Sequence, residues 1–183
     1  MIWADSELHP TGIQQVTELG EIWSQAVAEG MMPLPGTVYT SPLRRCLKTT
    51  RLVLSGAFQQ TGTPLEPRVK ELLRERLTDH TCDRRSTRTW IAENYPDYDI
   101  EPSLTEKDEL WRGDRWETDE EHVARKQQVL EDIFSTDKNA FLSLTIHSYA
   151  LAAILAVVGA PAFRVREGTT VALLVKAEAA GAL

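Results

Sequence analysis

Two short segments of the chain carry cationic or titratable side chains where a predicted strand gives way to a helix. The first is Tyr39–Arg45 (YTSPLRR), and the second is Leu144–Ser148 (LTIHS), with His147 near its end. The first turn of a helix presents free backbone N–H groups and the positive end of the helix dipole, so a cationic side chain beside it favours an anion. Both segments are therefore candidates for an anion-binding pocket.

Each of these segments also has a plain structural interpretation. Arg44 and Arg45 could be surface arginines on a first helical turn, and His147 could be a hydrogen-bonded histidine at a strand end. Ligands of open α/β sheets bind beyond the carboxyl ends of the strands. The two segments would therefore form one site if the strands that precede them lie close together in a sheet.

Charge is distributed unevenly along this chain of 183 residues, whose formal net charge is -7. Residues 68–88 contain seven basic and four acidic side chains, whereas residues 97–137 contain fourteen acidic and five basic ones. A basic stretch inside an acidic protein favours a local anion site, and we interpret the acidic stretch as a solvated helical surface with its lead-in loop. The overall acidity argues against nucleic acid as a partner.

The composition is that of an ordinary globular protein, and we expect one domain over residues 1–183. The two cysteines, Cys46 and Cys82, cannot build a disulfide framework or a four-cysteine zinc site. We interpret Cys46 as a buried thiol, and His80-x-Cys82 has too few companions to bind a metal. No apolar run approaches the length of a membrane span, and we expect a cytoplasmic protein without a cofactor.

Hydrophobic periodicity predicts helices that alternate with strands. The first helix is expected to begin at a capping box at Thr11–Gln14 and to end near Gly30. A second helix is expected after Ser41-Pro42, with Ser41 as its cap. Three more are expected: one over Ser86–Asn94, one that begins at a capping box at Thr118–Glu121, and one over Ser148–Val158. The strands are expected at Thr37–Thr40, Val69–Leu73, Phe141–Ile146 and Thr170–Val175, with a loop over Asn94–Asp114. This alternation predicts an α/β fold of three layers (αβα) around a mostly parallel central sheet.

Several conspicuous aromatic and imidazole side chains have a structural interpretation beside a functional one. Trp90, Trp111 and Trp116 are expected to anchor core or loops, although an aromatic loop near an anion pocket could also line a substrate mouth. His122 lies on the charged helix that begins near Thr118, and we interpret it as a solvated residue.

The order of several motifs resembles the histidine phosphatase superfamily, in its phosphoglycerate-mutase-like branch. Residues 39–50 (YTSPLRRCLKTT) are similar to its S-P-L-x-R-x-x-x-T element, and Glu71–Glu75 to the segment that carries its acid. Ile146–Ser148 matches its second histidine, Leu8–Gln15 fits the stretch after its first loop, and His80–Ser86 resembles an extension of fungal members. The resemblance covers nearly the whole chain and implies a phosphoglycerate-mutase-like fold.

The resemblance implies a role for each matching residue in a site for a small phosphorylated or anionic molecule. Arg45 matches a phosphate-binding arginine, and His147 a histidine that donates to the phosphoryl group and is cationic when phosphate is bound. Glu75 matches the acid that protonates the leaving oxygen, which requires a raised pKa. The residues expected to extend the site toward the rest of the substrate are Arg44, His80, Arg84 and Arg85.

One family motif is absent from the sequence. Members of the family begin with a central strand that ends in Arg-His-Gly and supplies the nucleophilic histidine, but no such triplet occurs here. The chain is then either a truncated product or a natural relative without the nucleophile. The first interpretation predicts a phosphomonoester hydrolase with impaired catalysis, and the second a non-catalytic or repurposed anion-binding member. Without that strand we expect the sheet to rearrange, to recruit another subunit as a homo-oligomer, or to be marginally stable.

Overall fold

A four-stranded parallel sheet forms the middle layer of the protein in a computed structural model that describes residues 4–178. The strands lie in the spatial order β3-β2-β1-β4, and each neighbouring pair is parallel. They are β1 (Thr37–Thr40), β2 (Arg68–Val69), β3 (Asp99–Ile100) and β4 (Leu142–Thr145).

Helices cover both faces of this sheet. They are α1 (Pro10–Ala28), α2 (Arg44–Thr61), α3 (Arg88–Asn94), α4 (Asp119–Thr136) and α5 (Ser148–Val157). Successive side chains of a strand point to opposite faces, and β1 shows this clearly. Val38 packs with Trp23 of α1 and Phe58 of α2, whereas the next residue, Tyr39, packs with Ile133 of α4. The predicted three-layer α/β fold with a parallel sheet is confirmed.

The first two helices approach each other closely at Gly20. A Cβ atom at this position would lie 2.5 Å from the carbonyl oxygen of Leu52, which belongs to the backbone of α2. Backbone cannot move aside as a side chain can, so the contact between α1 and α2 requires glycine here. The contact fixes α2, the helix whose first turn carries Arg45.

The beginnings of α4 and α5 agree with the sequence prediction, whereas those of α1, α2 and α3 differ from it. Thr118 and Glu121 form the predicted capping box of α4. Helix α1, however, begins at Pro10, and His9 caps it by accepting the backbone N–H of Thr11. Helix α2 has Leu43 as its cap residue, and Ser41 does not serve as cap. The Ser41 hydroxyl lies instead 3.0 Å from a ring nitrogen of His147, a tertiary contact that local pattern cannot reveal.

The predicted strands are also partly corrected. In place of a strand over Val69–Leu73, the two-residue β2 is followed by a 3₁₀ turn over Glu71–Leu73. Strand β3 forms inside the segment predicted to be a loop, because it extends the ladder of β2. The prediction of a strand over Thr170–Val175 is wrong. Thr170 accepts a hydrogen bond from the Trp23 indole, so this segment begins against α1.

The outer edge of β4 has no strand beside it among residues 4–178, where β4 pairs with β1 alone. Residues 4–9 form no strand, so the amino-terminal part that the structure describes does not take the place of the family's first strand. Within the same residues, no helix combines the length and the apolar character that crossing a bilayer requires.

The basic and acidic stretches of the sequence meet in the fold. Lys70 lies 2.7 Å from Asp132, Arg76 lies 2.9 Å from Asp119, and Arg74 lies 2.7 Å from Asp108. Much of the basic charge therefore joins segments of the protein and is not left free for a ligand. Summed charge could not show this, because pairing depends on which residues the fold brings together.

His122 is buried, which corrects its interpretation as a solvated residue. Its exposed fraction is 3%, and its Nε2 atom has no hydrogen-bond partner. Burial lowers the pKa of His122 to about 3, and the neighbouring Lys126 and Arg125 act in the same direction. Helix α4 turns this residue inward although the surrounding sequence is highly charged.

Substitution of His122 by leucine should make the protein less sensitive to acid. The unfolded chain takes up a proton at this histidine near pH 6.5, whereas the folded one does so near pH 3. The pKa difference therefore costs stability as the pH falls below 6.5, by about 1 kcal/mol between pH 7.5 and 5.5. Urea unfolding at both pH values should show a smaller loss in His122→Leu. Equal losses in the two proteins would contradict the buried, neutral state.

Candidate functional site

The two segments singled out by their chemistry lie side by side in the structure. Strands β1 and β4 are neighbours, with Thr40 opposite Thr145, and the Ser41 N–H donates to the Thr145 carbonyl oxygen at 3.1 Å. The chain then continues from Ser41 toward Arg45 and from Thr145 toward His147. The expected convergence of the two segments is confirmed.

Arg45 and His147 contact each other directly at this edge of the sheet. The Arg45 Nε–H donates to Nδ1 of His147 at 3.2 Å, so that ring nitrogen carries no proton. In the neutral ring the proton is then on Nε2, which lies 3.0 Å from the Ser41 hydroxyl. Burial holds the pKa of His147 well below its usual value, and the Arg45 charge adds to this effect. The imidazole is therefore neutral and its orientation is fixed from both sides.

Cys46 also touches the His147 ring, with its Sγ atom 3.3 Å from Nε2. Burial raises the pKa of the Cys46 thiol to about 12. Because the thiolate is the reactive form of cysteine, this side chain packs against the imidazole as an inert neighbour. The prediction of a buried thiol is confirmed.

The Glu75 carboxylate lies at the first turn of α5, the helix that begins directly after His147. This carboxylate accepts the backbone N–H groups of Ala150 at 2.8 Å and of Tyr149 at 3.3 Å, together with that of Arg76 at 3.0 Å. Burial raises the pKa of Glu75, and these hydrogen bonds oppose the increase. The structure thus brings Glu75 to the same strand end as His147, with the raised pKa expected for an acid that protonates a leaving group.

Two helices, α2 and α5, begin at this edge of the sheet. The backbone N–H groups of their first turns already bind carboxylates of the chain itself. Asp5, which is only 3% exposed, accepts the N–H of Arg44 at 2.9 Å and that of Ser86 at 2.6 Å. The Glu75 carboxylate likewise accepts backbone N–H groups in the first turn of α5. Free N–H groups were expected to attract the ligand, but an anion would instead meet side chains here, chiefly Arg45 and His147.

A loop on the far side of Arg45 completes its surroundings. Arg45 Nη1 donates to the Cys82 carbonyl oxygen at 2.9 Å, and Nη2 lies 3.5 Å from Oδ1 of the buried Asp83. The Arg45 side chain remains 24% exposed, so a ligand can reach it. Nothing in the sequence pairs Asp83 with Arg45, because the two residues are brought together only by the fold.

The other predicted site residues do not join this group. The Arg44 Nε–H donates to the Ser86 hydroxyl at 2.8 Å, and its guanidinium stacks 3.8 Å from the centre of the Trp90 ring. The Arg85 side chain is buried and ion-paired with Glu71 at 2.6 Å. His80 and Arg84 are exposed, two residues before and two residues after Cys82. A direct contact of these four with a ligand remains a prediction.

The three residues that do converge can perform complementary steps of chemistry. A guanidinium can contact two oxygens of a phosphoryl group at once, and an imidazole N–H can donate to a further oxygen. A carboxyl group with a raised pKa can hold a proton for a leaving oxygen at a pH where an ordinary carboxyl group has lost it. Among residues 4–178, no cluster of metal-binding side chains accompanies them.

Comparison with known proteins identifies a family and related sequences. The sequence model of the "Histidine phosphatase superfamily (branch 1)" matches residues 1–169. A protein of Arthroderma benhamiae named "Probable phosphoglycerate mutase" is 43% identical over 96% of this chain, and the chain spans 52% of that relative.

Solved structures share the fold at lower sequence identity. The alpha-ribazole phosphatase of Shigella flexneri superposes with a TM-score of 0.56 at 19% identity, over 90% of this chain and 77% of the other. A mycobacterial glucosyl-3-phosphoglycerate phosphatase in complex with inorganic phosphate gives a TM-score of 0.52 at 22% identity, over 87% of this chain and 73% of the other. Fold, motif order and the match to the family model agree, and the chain belongs to the histidine phosphatase superfamily.

Proposed function

We propose that this chain binds phosphomonoesters at the pocket formed by Arg45, His147 and Glu75, and that it carries the phosphate-binding and acid part of a phosphatase site. In this proposal Arg45 holds two phosphoryl oxygens, the His147 ring donates to the same group, and Glu75 protonates the leaving oxygen. The contact that carries the proposal is the one between Arg45 and His147 at the ends of two adjacent strands.

Hydrolysis through a phosphohistidine needs a nucleophile in addition to these residues. The sequence has four histidines. His9 caps α1, His80 is exposed on a loop, His122 is buried in α4, and His147 is held by Arg45 and Ser41. We therefore propose that catalysis is impaired in the 183-residue chain and that full turnover requires a strand ending in Arg-His-Gly.

A second candidate function is binding without catalysis. In that case the pocket serves a ligand or a partner, or chemistry that does not need the nucleophilic histidine. This alternative is supported by the contact between Arg45 and His147, which can hold an anion without a nucleophile. Both candidates predict phosphate binding by Arg45, and they differ in whether a supplied nucleophile restores turnover.

Inorganic phosphate should bind to the purified chain, and Arg45→Ala should weaken this binding by about 1.5–3 kcal/mol, the range for a hydrogen bond to a charged group. Calorimetric titration measures the affinity directly. The matched control is Arg51→Ala, which removes another arginine of α2 that pairs with Asp97. This control should bind phosphate as the wild type does. Equal affinities in wild type and Arg45→Ala would remove Arg45 from the site and overturn the proposal.

A further inference from the structure

We infer that a pair of loops beside the pocket recognises the leaving group of the phosphomonoester and selects an aromatic ring that bears a second negative charge. The residues that do this are His80, Arg84, Trp111 and Trp116, which we call the aromatic rim. The inference rests on the proposed function, because it assigns the part of the substrate that lies beyond the phosphate.

One half of the aromatic rim is an exposed ring pair held in place by a single carboxylate. Trp116 is 52% exposed, and its indole N–H donates to Oδ1 of Asp79 at 2.7 Å. The same oxygen lies 3.6 Å from Nε2 of His80, and the two rings meet edge to face with centroids 5.8 Å apart. A large exposed aromatic side chain whose orientation is fixed in this way is suited to contact a ligand.

The other half of the aromatic rim combines an aromatic ring with a cation. The Arg84 guanidinium lies 5.5 Å from the centre of the Trp111 ring, within the range of a cation–π contact. The Trp111 indole N–H donates to the His80 carbonyl oxygen at 3.1 Å. Arg84 is exposed and makes no ion pair among the described residues, so its charge is free to meet an anion.

The aromatic rim is attached to the pocket at two points. Between His80 and Arg84 lies Cys82, whose carbonyl oxygen accepts the N–H of Arg45. Next to Trp116 lies Glu117, whose carbonyl oxygen accepts from the side chain of Arg76 at 2.9 Å. Arg76 directly follows Glu75, so one loop is hydrogen-bonded to the cation of the site and the other to the residue after its acid.

This placement matches the side on which a leaving group must lie. The oxygen that Glu75 protonates belongs to the leaving alcohol, so the rest of that alcohol extends from Glu75 and away from Arg45 and His147. The loop that carries Trp116 is attached beside Glu75. A planar ring can stack on the exposed face of Trp116, and a carboxylate or second phosphate on that ring can pair with Arg84.

Ligands that differ only in the leaving group test the inference. Calorimetric titration compares inorganic phosphate, methyl phosphate, phenyl phosphate and 4-carboxyphenyl phosphate. For the wild type we expect phenyl phosphate to bind about fivefold more tightly than methyl phosphate, the size of an aromatic contact. The carboxylate should add a further increase of about threefold.

Two substitutions should remove these gains separately. Trp116→Ala should bring phenyl and methyl phosphate to equal affinity, whereas Trp116→Phe should keep most of the difference. Arg84→Ala should remove the gain from the carboxylate alone. All three should bind inorganic phosphate as the wild type does, as should Phe163→Ala, which removes an exposed aromatic side chain outside the aromatic rim.

Two other results would contradict the inference, one of them together with the proposed function. If phosphate binds through Arg45 but Trp116→Ala keeps the preference for phenyl phosphate, the role of the aromatic rim is overturned and the proposed function stands. A wild-type protein that binds inorganic phosphate no more tightly than Arg45→Ala would overturn the proposed function, and the inference with it.

Discussion

The 183-residue chain should hydrolyse an aryl phosphate at least about 10⁴-fold more slowly than the same chain extended at its amino end by a strand that finishes in Arg-His-Gly. The pocket supplies a cation, an imidazole and an acid, but a covalent phosphohistidine needs a further histidine. The outer edge of β4, which no strand covers among residues 4–178, gives the added strand a place to pair. A steady-state assay of both proteins with p-nitrophenyl phosphate measures the difference.

Controls in the extended protein separate the roles of its residues. His147→Ala should remove most of the restored turnover. Glu75→Gln should reduce it less for a substrate such as p-nitrophenyl phosphate, whose leaving group needs little protonation, than for an alkyl phosphate. Rapid hydrolysis by the unextended chain that is lost in His147→Ala would mean that another nucleophile operates, and it would contradict the roles proposed here.

Asp108→Asn should lower the free energy of unfolding by about 3–5 kcal/mol, the usual cost of breaking a buried ion pair. The Arg74 side chain is completely buried, and the Asp108 carboxylate accepts from both its Nη1 at 2.8 Å and its Nη2 at 2.7 Å. The same carboxylate accepts the Arg85 N–H at 2.9 Å. Loss of its charge leaves the buried guanidinium with Glu71 as its remaining ionic partner. Urea unfolding at pH 7 measures the change.

A variant of an exposed ion pair and the pH dependence of stability serve as controls for the Asp108→Asn experiment. Glu121→Gln removes the exposed ion pair with Arg115 and should cost less than about 1 kcal/mol. Burial opposes ionisation of Asp108, but its bonds with Arg74 outweigh burial and hold its pKa below the usual value. Its contribution is therefore present above the unfolded pKa near 3.9 and is lost as the pH falls through the lower, folded value. Equal stability of Asp108→Asn and wild type at pH 7 would show that the pair is not structural.

The part of the site that the sequence predicts is the part that local pattern determines. A short strand followed by Ser-Pro and two arginines, and another followed by His147, are visible in the sequence because strand, turn and helix start lie within a dozen residues. Parallel strands of an α/β sheet end at the same edge, so convergence could be inferred without coordinates. The raised pKa of Glu75 followed from the role implied by the family resemblance.

What the sequence did not predict depends on contacts between distant residues. Asp5 holds the first turn of α2, and Asp83 pairs with Arg45, although nothing in their neighbourhoods distinguishes them from other acids. Arg85 was expected at the site because it belongs to a basic stretch, and nothing in that stretch indicated that its side chain would be buried against Glu71. His122 looked exposed because its neighbours are charged. In each case a partner or a packing surface far along the chain determines the environment.

If phosphate binds as proposed, the hydrogen bond from Arg45 to His147 couples ligand binding to proton uptake. It requires an unprotonated Nδ1, and the neutral ring offers a single N–H, at Nε2. A phosphate dianion beside the ring stabilises imidazolium and raises the pKa of His147. The bound state therefore carries more protons than the free state, and the two equilibria are thermodynamically linked. Protonation of His147 thus strengthens the hold of the site on an anion as the pH falls, whereas protonation of the phosphate itself lowers the ligand's charge and acts in the opposite direction.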